Sequence, residues 1–339
     1  MVWPARSKRP TCSVSRPASA EAPPSSGRSP SGGGRSLAGA PPIEVHGVRK
    51  TYGTTLALDD LDLVVQAGEV FGFLGPNGAG KTTTVKILLG LVRPSAGEAR
   101  LFGRAATDPA ARQRVGYLPE NFRFHDWLTG YQLLDFHARL AGLPAAERPE
   151  RIDEVLTLVG LAGRGDDRIR TYSKGMTQRI GMAQALVHRP DLVLLDEPTS
   201  ALDPVGRREV RDLIRELRSA GMTVFLNSHL LSEVELVCDR VAIVDRGRVV
   251  HSGRLVDVVH GGQPELRLTV DRVDEALLAL LTKHGQVIEV REATVRLSAC
   301  QADEVAEAVV RAGYRLHALV PSRQSLEDMF LSLVERTDG

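Results

Sequence analysis

The sequence predicts an α/β fold built on a mostly parallel core sheet, followed by a small C-terminal α+β domain. Three observations carry this expectation. Strand-like and helix-like runs alternate from Ile43 to about residue 262, the pattern of a parallel sheet with crossover helices. Two short runs, Val70–Leu74 (VFGFL) and Leu192–Leu195 (LVLL), are apolar without alternation, as strands covered on both faces are. Past residue 262 the pattern restarts as βαββαβ with a last helix, an order that suggests a ferredoxin-like unit.

In chain order, residues 1–40 come first. They are rich in Ser, Pro, Gly, Ala and Arg and have almost no apolar periodicity, so they cannot bury enough surface to offset their ordering entropy. They are expected to form a disordered tail. Ile43–Val48 and Leu61–Val65 alternate like strands of an antiparallel layer. Val70–Leu74 leads into a glycine-rich loop, and Lys81–Leu89 follows with a helical pattern. Residues 129–160 read as helices, with Thr129 and Gln132 spaced for a capping box. Leu192–Leu195 is a second buried strand. Asp203 and Pro204 read as an N-cap with proline at the first helical position. Val224–Leu226 and Val241–Val244 are further strands. In the C-terminal unit (263–339), the expected strands are Glu265–Val270, Val287–Val290, Val295–Ser298 and Arg315–Val320. Helices are expected over 272–283, 302–312 and 324–335.

Composition narrows the function. Hydrophobic residues make up 42% and charged residues 25%, as in ordinary soluble globular chains. The tail holds six Lys/Arg against Glu21 alone, which leaves 37 basic and 41 acidic groups after residue 40. A folded part with a balance of −4 lacks the basic surface of a nucleic-acid binder. No run approaches the ~18 consecutive apolar residues of a membrane span, so a membrane role requires a partner chain. Cys12, Cys238 and Cys300 show no pairing or metal spacing and read as structural thiols in a reducing cytosol.

The chemistry begins at the glycine-rich loop. Gly75, Pro76, Asn77, Gly78, Ala79, Gly80, Lys81 and Thr82 fit G-x-x-x-x-G-K-[ST]. Glycines let backbone N–H groups curl around phosphate oxygens, and the following helix turns its positive end to the same anion. Lys81 would reach the β- and γ-phosphates, and the Thr82 hydroxyl would bind Mg²⁺; the phosphate site extends through Thr83. A dinucleotide fingerprint starting at Gly78 would need glycine at position 83, which is Thr83. A nucleotide hydrolase also needs a metal-side carboxylate and a group that positions water. At the end of LVLL, Asp196 would hold Mg²⁺ through water and Glu197 would polarise the attacking water.

This order of motifs resembles the ABC (ATP-binding cassette) ATPase family over roughly residues 43–260. The resemblance implies a P-loop NTPase fold with a parallel core sheet, an antiparallel β layer and a helical subdomain. It implies that Tyr52 stacks on adenine. It likens Tyr172–Met176 (YSKGM) to the LSGGQ signature, where Ser173 and the N–H of Gly175 would form a second anion site at a helix start. Ser200–Asp203 resembles the D-loop, and His229 the switch histidine that contacts the γ-phosphate. Two departures stand out: Glu120 occupies the position of the Q-loop glutamine, where it would still face Mg²⁺ and the attacking water, and Lys174 and Met176 replace Gly and Gln of the signature. Were position 174 to require a positive φ, lysine would be strained there. Such variants, with the closing Ser325–Phe330 (SLEDMF), resemble the export-type branch that pairs an ATPase chain with a separate membrane chain.

The implied protein is an ATP hydrolase binding ATP and Mg²⁺. Its partners would be a second ATPase subunit, in a homodimer with two composite sites, and a separate transmembrane permease. It would lie in the cytoplasm, peripheral on the inner face of the cell membrane, with no nucleic acid bound. Two rivals are a soluble ABC ATPase acting on DNA or ribosomes and a weakly active regulatory cassette. After Glu120, Asn121–Trp127 holds Phe122, Phe124 and Trp127 in seven positions, in a chain only 4% aromatic. Alternation would put Phe122 and Phe124 on one side and leave Trp127 for the membrane subunit.

Overall fold

The computed structural model describes residues 39–200, 202–260, 265–298, 300–322, 326–327 and 329–330. The expected tail lies outside the described residues except for Gly39 and Ala40, as do Ala201 and most of the expected last helix. Along the chain run β1 (Ile43–Tyr52), β2 (Thr55–Val65), β3 (Val70–Leu74), α1 (Lys81–Leu88), β4 (Ala96–Leu101), β5 (Arg104–Ala105), α2 (Pro109–Arg112), β6 (Val115–Leu118), α3 (Gly130–Leu140) and α4 (Arg148–Leu158). Then come α5 (Lys174–Leu186), β7 (Leu192–Asp196), α6 (Pro204–Ser219), β8 (Thr223–Asn227), α7 (Leu231–Val237), β9 (Arg240–Asp245), β10 (Arg248–Arg254) and α8 (Leu255–His260). The last are β11 (Glu265–Val270), α9 (Glu275–Leu281), β12 (Gln286–Arg291), β13 (Thr294–Ser298), α10 (Ala302–Arg311) and β14 (Leu316–Ser322).

Three sheets result. The core sheet runs β10-β9-β3-β8-β7-β6 and is parallel from β6 through β9, with β10 antiparallel at one edge. The second sheet, β2-β1-β4-β5, is antiparallel. Its apolar face packs on one face of the core sheet. Phe71 and Phe73 of β3, Leu192 and Leu194 of β7, and Ala242 and Val244 of β9 recur at a period of two and meet Ile43, Val45, Leu58, Leu61 and Leu63. The alternate residues of the same strands are also buried, which explains the unbroken apolar runs in the sequence. The third sheet, β12-β13-β11-β14, is antiparallel throughout. Leu266, Leu268, Val295 and Leu297 form its core with Leu277 and Leu281 of α9 and Val305 and Val309 of α10. With its order βαββαβ, this is the ferredoxin-like arrangement expected from the pattern.

Several strands escaped the sequence pattern. β4 (AGEARL) buries only Ala99 and Leu101, and β6 is four residues long, so neither shows a period. β1 and β2 extend to Tyr52 and from Thr55, beyond the expected ends, because bulges let them stay paired where the alternation breaks. α3, α4 and α5 pack on one another and make the helical subdomain, with α5 against the edge strand β6. The Thr129 hydroxyl accepts the Gln132 N–H at 3.1 Å while Gln132 Oε1 accepts the Thr129 N–H at 3.0 Å, so the capping box is formed. Arg151 of α4 is fully buried and donates to the carbonyls of Leu186 and Val187 at the end of α5.

Candidate active site

β3 sits inside the core sheet between β8 and β9, so its C-terminal end opens where α/β sheets hold ligands. A cleft of about 500 Å³ lies there. Its wall contains Gly75, Pro76, Asn77, Gly78, Gly80, Lys81, Thr82 and Thr83, together with Glu120, Asp196, Glu197 and His229. Ala57, Asn227, Leu231 and Phe330 complete it.

The loop is shaped by close backbone approach. A Cβ at Gly75 would stand 2.3 Å from the Val244 carbonyl oxygen, and one at Gly80 would stand 2.5 Å from Leu58 Cδ2, with φ at +103° as well. Only glycine satisfies both positions. Ala79 is buried and off the cleft wall; its N–H donates to Pro76 O and its carbonyl accepts the Gly247 N–H, so it braces the loop from behind. Lys81 begins α1 and donates Nζ to the carbonyls of Gly75 at 2.6 Å and Pro76 at 3.1 Å. Burial holds the Lys81 pKa below its usual value, opposed by the negative charges of Glu197, Asp196 and Glu120.

The acids come from the neighbouring strand ends. β7 and β8 pair Asp196 with Asn227, and Asn227 Nδ2 donates to Asp196 Oδ1. Glu197 adopts φ +50°, and its N–H donates to the Asn227 carbonyl at 2.9 Å. That left-handed turn at the strand end is uncommon for a non-glycine residue. It places Glu197 Oε1 within 2.9 Å of the His229 N–H and 2.8 Å of His229 Nδ1. Burial raises the Asp196 pKa; the Asn227 hydrogen bond lowers it, Glu120 and Glu197 raise it, and Lys81 lowers it.

The donor set suits Mg²⁺. Glu197 Oε2 and Asn227 Oδ1 are buried with no hydrogen-bond partner among the described residues, and such atoms call for a ligand or water. The Thr82 hydroxyl and the carboxylates of Asp196 and Glu120 border the same cleft. Among the described residues no three His, Cys, Asp or Glu form a cage of their own. Mg²⁺ is commonly held by one or two carboxylates with substrate phosphates and water.

Besides Ala79, three expected residues stand off the cleft wall. Tyr52 ends β1 with 45% of its surface exposed and Lys50 Nζ 4.9 Å from its ring centre. Ser173 and Gly175 are absent from the cleft wall. Ser173 is the N-cap of α5 and accepts the Met176 N–H at 3.2 Å. Lys174 is its first helical residue and has no positive φ, so the glycine replaced there leaves no strain. Gln178 of the same helix donates to the Pro198 carbonyl at 2.9 Å, linking α5 to the turn after Glu197. The sequence reading missed Asn227, Ala57, Leu231 and Phe330; only Asn227, closing an apolar strand run, carried a local sign.

Residues 58–200 match the family model described as ABC transporter. An uncharacterized ABC transporter ATP-binding protein of Nostoc sp. is 42% identical over 86% of this chain and 89% of its own length. The Nod factor export ATP-binding protein I of Cupriavidus metallidurans is 35% identical over 87% of this chain and 97% of its own. A solved dimeric ATP-binding cassette, in a post-hydrolysis state with ADP and Pi, superposes with a TM-score of 0.58 at 25% identity, covering 63% of this chain and 98% of that one. Long matches at this identity, on a fold with this cleft, show that the chain belongs to the ABC transporter ATP-binding proteins, the ATP-hydrolysing subunits that power transport.

Proposed function

We propose that this chain binds ATP at Gly75–Thr83 and hydrolyses it with Glu197, His229 and Glu120, driving an exporter through a separate transmembrane permease. The observation that carries this reading is the meeting of Lys81, Asp196, Glu197 and His229 in one cleft at the strand ends. Thr82, Asp196 and Glu120 would hold Mg²⁺, which when bound neutralises phosphate charge. The chain's own residues do the rest. Loop N–H groups and Lys81 bind the phosphates. Glu197 Oε2, left open by the His229 contacts on Oε1, accepts a hydrogen bond from the attacking water and draws its proton. His229, held by Glu197, orients toward the γ-phosphate. Tyr52 offers an exposed ring to adenine.

The separation of Ser173 and Gly175 from the cleft supports a composite site, in which a second subunit supplies its own signature to this subunit's ATP. The dimeric state of the similar solved cassette is consistent with it. Among the described residues no helix is long and apolar enough to cross a membrane, which agrees with a permease on a separate chain and a peripheral position on the inner membrane face. The export direction rests on the likeness to a Nod factor export protein. Lys81→Ala tests the site: it should abolish hydrolysis and weaken ATP binding, and wild-type turnover in this variant would overturn the assignment.

A further inference from the structure

The end of the chain returns to the cleft. Leu326, Glu327, Met329 and Phe330 are helical, and Phe330 stands in the cleft wall together with His229 and Leu231. The approach is anchored. Leu326 has 0% of its surface exposed, and its N–H donates to Glu235 Oε1 at 2.6 Å. Glu235 lies on α7, whose first residue is Leu231 and which starts two residues after His229.

The spacing explains the geometry. Leu231 and Glu235 are four apart on α7, and Leu326 and Phe330, each helical, are also four apart, the spacing that shares a helix face. Glu235 and Leu326 meet at the anchor; Leu231 and Phe330 meet the cleft one turn away. Leu231 and Phe330 thus add two large apolar side chains to a wall whose other members include Lys81, Glu120, Asp196, Glu197 and His229. A phenyl ring donates nothing to phosphate. In the wall it displaces water, and the His229 side chain of the same wall is 55% exposed.

Resting on the assignment of this cleft to ATP, we propose that Phe330 is a nucleotide-site residue supplied by the C-terminal segment, and that nucleotide in the cleft and docking of Leu326–Phe330 on α7 strengthen each other. The coupling is reciprocal: whatever factor nucleotide adds to docking, docking adds to nucleotide affinity.

Hydrogen exchange on the full-length protein, with and without a non-hydrolysable ATP analogue and Mg²⁺, reads the docking without any substitution. The amides of residues 326–330 should gain about fivefold protection, the low end of couplings between sites. Phe330→Ala should lose that gain, bind the analogue about fivefold more weakly and turn over ATP more slowly; Phe330→Leu should restore part of all three. Exchange that ignores the analogue in the wild type, or wild-type affinity and turnover in Phe330→Ala, overturns the proposal. Lys81→Ala run in parallel separates the failures: if it binds the analogue as the wild type does, the ATP assignment of the cleft is what fails.

Discussion

One carboxylate oxygen, Oε1 of Glu197, is held twice by His229, through the backbone N–H at 2.9 Å and by Nδ1 at 2.8 Å. The two residues belong to different strand ends, and the left-handed turn at Glu197 brings them together. This doubly held oxygen fixes the carboxylate, and its other oxygen, Oε2, has no partner among the described residues.

Glu197→Gln keeps an oxygen for the His229 N–H but loses the basicity that draws a proton from water. Hydrolysis should slow by about 10²–10⁴-fold, the range for a positioned acid–base group, with ATP binding retained. Because uncleaved ATP would persist between two cassettes, the variant should elute as a dimer with ATP and Mg²⁺. A monomeric profile at saturating ATP would count against the composite site.

Asp196→Asn should raise the melting temperature of the nucleotide-free protein at pH 7 while weakening Mg²⁺–ATP binding. Burial raises the Asp196 pKa, so the fold favours the protonated acid. The stability this brings is present at low pH and is lost as pH rises through the folded pKa. Asparagine keeps the acceptor for Asn227 and carries no charge. The gain over wild type should therefore shrink as pH falls toward 3.8, the ordinary aspartate value. A lower melting temperature at pH 7 would contradict it.

Arg151→Ala should destabilise the fold. The guanidinium is fully buried, bonds the carbonyls of Leu186 and Val187 at the end of α5 and lies 2.9 Å from Glu154. Removing one member of such a buried charged set typically costs about 3–5 kcal/mol. Urea unfolding followed by circular dichroism measures it; an unchanged midpoint would show that the buried contacts contribute nothing net.

Trp127→Ala should spare ATP binding and basal turnover and reduce co-purification with the membrane subunit. Trp127 is 65% exposed and stacked on His125 at 4.3 Å. Phe122 packs against Gly181 of α5, and its ring centre lies 5.1 Å from that of Phe124, so the packing role falls to these two. Surface truncations of this kind usually change stability by less than about 0.5 kcal/mol. Undiminished co-purification would remove Trp127 from the interface.

The motifs readable in the sequence are those whose geometry is local. Glycines at 75 and 80 declare a loop pressed against other backbone. Thr129 with Gln132, and Asp203 with Pro204, declare helix starts, because a cap is satisfied within four residues; the Asp203 carboxylate indeed accepts the Gly206 N–H at 2.7 Å. The apolar runs at β3 and β7 declare strands buried on both faces, and the restart after residue 262 declares a second core.

Contacts between distant residues needed the tertiary structure. Asn227 is 31 residues from Asp196 and became visible only when β7 and β8 paired in register. Phe330 carries no local sign of a cleft; the Glu235–Leu326 bond, 91 residues long in sequence, brings it there. Ser173 and Gly175 read in sequence as a second anion site, and the fold sets them on α5, away from the cleft wall. Spacing along a chain encodes only what the backbone can reach within a turn or two. Which strand end, helix face or chain end meets another is decided by the packing of whole sheets and helices.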